Sequence, residues 1–167
     1  METISPGEVK EISPLAKNEL GPENTKNIKI LNEKIAELAK KEGIEYHLLL
    51  VGGNVKPEKR GTYHKDVDLV LFSPQLATEY YRGGDDKHPK FDEFADFLTK
   101  VGEQLEWVSQ TEEPWFFDYE FCGSGKVTLQ PKGDGKPIEI LPVEESWTKL
   151  SFENYLIKDK EPYEIIS

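Results

Sequence analysis

The sequence predicts an α+β (mixed α/β) domain in which helices pack on a mostly mixed β-sheet. Three observations lead there: a helical apolar stripe followed by two short apolar strands around a glycine turn, a second helical stripe, and then a run of strands. At 167 residues the chain fits one ordinary domain that can bury roughly 70% of its extended-chain surface. An apolar fraction of 37% and an aromatic fraction of 11% are too rich in core formers for a disordered chain. No internal repeat, low-complexity tract or linker divides it.

Residues 1–24 hold Pro6, Gly7, Pro14, Gly21 and Pro22 without a sustained period, so they are expected to form an irregular N-terminal arm ahead of a single domain over 25–167. Ile4, Ile12 and Leu15 could dock that arm on the body. From Asn27 to Glu42, Ile28, Leu31, Ile35, Leu38 and Ala39 fall on one helical stripe, with Asn24 or Thr25 as N-cap and Gly43 as the stop. Ile44 to Val51 ends in the run Leu48–Val51 and reads as a buried strand entering the Gly52–Gly53 turn. Asp66 to Phe72 is a second strand. Ser73 and Pro74 have the order of an N-cap and first helical residue, predicting a short helix through Tyr81. The segment from Tyr81 to Pro89 reads as an exposed loop.

Pro89 is expected to open the second main helix. Phe91, Phe94, Ala95, Leu98, Val101 and Leu105 form its apolar stripe, and Asp92 with Glu93 suits its positive end. Trp115–Phe121, Lys126–Gln130 and Pro137–Val143 are expected strands, the last two joined by the turn Lys132 to Lys136. Ser151 to Lys158 reads as a closing helix.

Acidic residues outnumber basic ones by 32 to 21, a net charge of −11, so the summed field repels polyanions and extended nucleic acid is not an expected partner. A small or proteinaceous partner is favoured. Cys122 is the sole cysteine and can form no intramolecular disulfide. Met1, Glu2 and Thr3 lack the start of a secretory signal, and no apolar run approaches the roughly 20 residues of a membrane span, so a cytoplasmic location without membrane association is expected.

The chemistry concentrates in one constellation. Side chains alternate along a strand, so Asp66 and Asp68 share a face, and their mutual repulsion calls for a proton or a cation such as Mg²⁺. Gly52 and Gly53 lie at the preceding strand end, where missing Cβ atoms let backbone amides approach an anion. Arg60, His64 and Lys65 lie in the loop between and could add positive charge against a triphosphate. A third carboxylate would complete the set. Glu139, an acid between Ile138 and Ile140, is preferred over Asp118 and Glu120, because an unpaired acid among apolar neighbours is costly without a cation or donor.

Val51, Gly52, Gly53 and then Asp66, Val67, Asp68, Leu69, with an apolar-acid-apolar stretch around Glu139, resemble the motifs of the DNA polymerase β-like nucleotidyltransferase superfamily over roughly residues 27–143. Gly52, Gly53, Asn54, Val55 and Lys65 to Leu69 look like the head of CCA-adding enzymes and bacterial poly(A) polymerases. Lys56 and Pro57 depart from it, standing where those enzymes usually have Arg and Asp, and their long helical body is missing. The resemblance therefore points to a minimal nucleotidyltransferase, of the kind that modifies antibiotics, sugars or proteins.

That resemblance implies transfer of a nucleoside monophosphate from ATP or another nucleoside triphosphate to an acceptor hydroxyl on a small molecule or protein. It implies Mg²⁺ or Mn²⁺ on Asp66, Asp68 and Glu139, the triphosphate at Gly52 and Gly53 with Arg60, His64 and Lys65, and a homodimer or a helical partner subunit completing the cleft. The alternative is a catalytically silent protein of the same fold that senses a nucleotide or binds a partner. A third possibility is a plain acidic surface. Elsewhere, His47, His88 and Cys122 are expected to be structural, exposed or inert, and Trp107, Trp115 and Trp147 to pack, with one able to stack on a base.

Overall fold

Two helices open the computed structural model, which describes residues 12–78, 91–117, 120–123, 125–159 and 162–167, with 115–117, 120–123 and 159 as backbone only. Helix α1 is Pro14–Leu20 and α2 is Pro22–Glu42. The expected irregular arm is therefore corrected over residues 14–24. Ser13 caps α1 by accepting from the Ala16 amide at 3.2 Å, and Pro14 supplies a preset φ at the first helical position. Seven residues are too few to display a period.

Gly21, at φ 81°, ends α1 with its N–H on the Lys17 carbonyl and also stands at the start of α2, so neither Asn24 nor Thr25 is the N-cap. Asn24 and Asn27 instead turn inward. Asn24 Oδ1 accepts from the Lys136 amide at 2.9 Å, and Asn27 donates to the Asp134 carbonyl at 3.3 Å, which ties the 132–136 turn to α2. Helix α2 stops at Gly43, in the left-handed region as expected.

The remaining elements follow in order: β1 His47–Val51, β2 Val67–Phe72, α3 Asp92–Leu105, β3 Val108–Glu112, β4 Trp115–Phe117, β5 Glu120–Gly123, β6 Lys126–Gln130, β7 Ile138–Pro142, α4 Glu145–Thr148, α5 Phe152–Asp159 and β8 Glu164–Ile165. Six strands form one sheet in the order β3-β6-β7-β2-β1-β8. The β2–β7 pair is parallel and its neighbours antiparallel, which makes the sheet mixed and the fold α+β.

The expected strand Trp115–Phe121 is two strands, β4 and β5, paired as a separate antiparallel hairpin. The helix expected from Ser73 is absent over Ser73–Thr78. Ser73 Oγ accepts from the Leu76 amide at 3.3 Å, closing a single turn, and Thr78 then bridges Glu144 in the parallel sense. Tyr81, His88 and Pro89 lie outside the described residues, and α3 begins at Asp92.

Alternation along the strands gives the sheet two different faces. Leu48, Leu50, Val67, Leu69, Leu71, Val127, Leu129, Ile138 and Ile140 join Ile28, Leu31 and Ile35 of α2 and Phe94, Leu98 and Val101 of α3 in the main core. On the other face Leu49, Phe72 and Val143 pack with Phe152, Tyr155 and Leu156 of α5. His47 is buried there, stacked on Phe152 with ring centroids 3.8 Å apart, and burial pushes its imidazole below the usual value. The second cluster covers only one end of that face.

Leu98 is fully buried between α3 and the sheet. Leu98→Ala should cost about 2–5 kcal/mol, seen in urea unfolding as a lower midpoint at unchanged slope. Among the described residues, no helix is long and apolar enough to cross a membrane.

Candidate metal site

The uncovered end of the second face carries polar side chains, and strand register brings three acids together there. In the parallel pair Asp68 of β2 sits opposite Glu139 of β7, so the two project side by side. Asp66 lies two residues before Asp68, one step ahead of β2, where the Val67 amide is fixed to the Pro137 carbonyl at 2.9 Å. Each residue offers one carboxylate oxygen, and these all lie within 4.8 Å of one another. Among the described residues this is the one group of three metal-ligating side chains so arranged. Asp118 lies outside the described residues, and Glu120 sits in the separate β4–β5 hairpin.

All three acids are partly buried, which makes their charges hard to hold together. Burial, then the neighbouring Asp66 charge, then hydrogen bonding and repulsion from Glu139 push the Asp68 carboxyl up to about 7. A proton therefore does the work of a counter-ion near neutrality. Three hard oxygen donors converging with one displaceable proton suit Mg²⁺ or Mn²⁺, and the residues fit such an ion.

The glycine turn abuts this cluster. Val51 pairs with Asp68 across β1 and β2, and the chain then enters a single 3-10 turn, Gly52–Asn54, with Gly52 at φ 77°. A Cβ on Gly52 would collide with Asp68 Oδ2, so glycine is needed for both backbone conformation and space. Gly53 serves a different neighbour: a Cβ there would fall 2.7 Å from His64 Nδ1.

His64 is buried, with Nε2 3.0 Å from Glu19 Oε2. Glu19, on α1, also accepts from the Gly61 amide at 2.8 Å, and the His64 and Gly61 hydrogen bonds hold its carboxyl below the usual range. The structure thus places His64 as a wedge behind the turn. Of the other cations expected near phosphate, Lys65 lines the cleft and Arg60 is exposed.

That cleft, of about 410 Å³, runs from Asp66 and Glu139 across β6 to the edge strand β3 and is lined by Gln110, Glu112, Lys126 and Thr128 besides Lys65 and these two acids. Lys126 escaped the sequence analysis. Its Nζ lies 2.8 Å from Glu139 Oε1 and 3.7 Å from Glu112 Oε2, and the hydrogen bond to Glu139 raises its basicity. Alternation of Lys126 and Thr128 with Val127 and Leu129 marks a polar strand face and the 132–136 turn joins it to β7, but nothing local reveals that Lys126 reaches diagonally to Glu139. Glu19 was missed for the same reason. Trp107 is buried in the main core, and Trp147 packs edge-on against Tyr155 at 5.6 Å; neither lines the cleft.

No protein-family model, no curated protein and no solved structure matches the chain.

Proposed function

We propose that the protein is a divalent-metal-dependent nucleotidyltransferase that moves a nucleoside monophosphate from a nucleoside triphosphate to an acceptor hydroxyl. The observation that carries this reading is the convergence of Asp66, Asp68 and Glu139 from the β2–β7 pair beside the Gly52 turn. Asp66, Asp68 and Glu139 would hold Mg²⁺ or Mn²⁺, which supplies charge neutralisation of the triphosphate and acidifies the attacking hydroxyl. Asp68 would have to yield its proton to an ion bound there. Gly52, bare of side-chain atoms, leaves the space that the Asp68 carboxylate occupies. Lys65, exposed at the cleft, offers positive charge to the phosphates.

In the transfer the acceptor oxygen bonds to the α-phosphorus, the bond to the β-phosphate oxygen breaks, and pyrophosphate leaves as the hydroxyl loses its proton. A net charge of −11 supports a small-molecule or protein acceptor over extended nucleic acid. Incubation with each labelled triphosphate and Mn²⁺ should give pyrophosphate release or self-labelling that disappears in Asp68→Asn. Metal-dependent triphosphate binding with no turnover on any acceptor would favour a silent nucleotide-binding module. Absence of both binding and turnover would overturn the assignment.

A further inference from the structure

Lys126 has no part in the proposed transfer, yet its ammonium lies on one of the three carboxylates that would hold the metal. The register explains its position. Lys126 pairs with Glu112 across β3 and β6, while the next residue on the same face, Thr128, pairs with Glu139 across β6 and β7, so the lysine reaches diagonally from β6 to β7. It stands between Glu139, whose side chain is 21% exposed, and Glu112, whose side chain is 63% exposed at the cleft rim.

A divalent ion bound to Glu139 would repel an ammonium held on the same carboxylate. The lysine stem is flexible and Glu112 offers a second anchor nearer solvent, so Nζ can leave Glu139 without losing every partner. We infer that Lys126 is a displaceable internal counter-ion: it holds Glu139 while the cluster is metal-free, and moves onto the phosphate oxygens of a bound polyphosphate once a divalent ion takes that carboxylate. This rests on the nucleotidyltransferase reading and deepens it, since it names a residue that couples metal occupancy to polyphosphate capture. The opposing role, a permanent brace that positions Glu139, makes the opposite prediction for metal affinity.

The test measures Mn²⁺ binding by the full chain, alone and then with inorganic tripolyphosphate as a base-free probe. Lys126→Met should bind Mn²⁺ alone at least about fivefold more tightly than wild type, because the competing cation is gone. In saturating Mn²⁺ its tripolyphosphate affinity should fall about tenfold or more, through loss of a charge-assisted hydrogen bond. Lys126→Gln, which keeps a polar side chain at this half-exposed position, carries the same two expectations should the methionine variant fold poorly. Unchanged or weaker Mn²⁺ binding, or unchanged tripolyphosphate binding, overturns the inference. If wild type binds Mn²⁺, Asp68→Asn does not, and Lys126→Met behaves as wild type, the metal site stands and only the lysine's role falls. If wild type itself binds no Mn²⁺, both fall together.

Discussion

Asp68→Asn is expected to abolish Mn²⁺ binding and, in the same molecule, to raise the stability of the metal-free protein at pH 8. The folded carboxyl titrates near 7, above its ordinary value of 3.8. A group raised in this way contributes stability that is fully present below the unfolded value and is lost as pH rises through the folded one. Metal-free wild type should therefore lose stability between about pH 4 and pH 7, as a proton leaves a partly buried cluster of like charges. Asparagine carries no charge there and escapes that loss.

Thermal unfolding at pH 5 and pH 8 checks this directly. The variant should gain several degrees over wild type at pH 8, since each kcal/mol is worth roughly 2–4 °C at this size, and clearly less at pH 5, where only the first part of that loss has occurred. His47, whose folded value is lowered by burial, costs stability in the other direction, as pH falls through that value. It is present in both proteins, so it cancels in the comparison. Metal affinity runs opposite to metal-free stability, because binding must expel the Asp68 proton: below pH 7 wild-type affinity should rise about tenfold per unit and then level off. A variant less stable than wild type at pH 8, or one still stabilised by Mn²⁺, would remove Asp68 from the site.

Gly52→Ala should damage both stability and metal binding. The backbone at φ 77° costs an L-residue about 1–2 kcal/mol, and the added methyl would also land on Asp68 Oδ2. Relief of that collision requires the carboxylate to shift from its position beside Asp66 and Glu139. We expect a total cost of about 2–4 kcal/mol, a melting temperature lower by roughly 5–10 °C, and Mn²⁺ affinity down at least about tenfold. Gly43→Ala is the control. It meets the same kind of left-handed backbone at φ 70° with nothing within 4 Å of the new methyl, so it should lose stability alone and keep the metal. Equal Mn²⁺ affinity in the two variants would mean that the Gly52 turn does not abut the ligand set.

The apolar face of α2, strands β1, β2, β6 and β7, and the Gly43 stop were legible because each is written in local periodicity. Helix α1 was hidden because seven residues show no period, although Ser13–Pro14 carries the start signal. Strand β3 reads Val108, Ser109, Gln110, Thr111, Glu112, an edge strand with mostly exposed side chains and no apolar alternation to betray it. The acid pair in Asp66 and Asp68 was visible from spacing, and Glu139 stood out as an acid among isoleucines. Their meeting depends on parallel register, which no local pattern encodes. His64 shows the same limit: nearness in sequence suggested phosphate, whereas Glu19 of α1 holds it behind the turn.

The parallel pairing of β2 with β7 has a consequence for how the site arises. Asp68 and Glu139 belong to segments separated, among the described residues, by a helix, an edge strand, a hairpin and β6, so their juxtaposition is among the long-range closures that fold slowly. A nascent or half-assembled chain carries only two of the three acids on its first completed hairpin. Cation capture would thus be a property of the finished sheet, and a bound ion would act as a rivet that holds the crossing shut from the moment it forms.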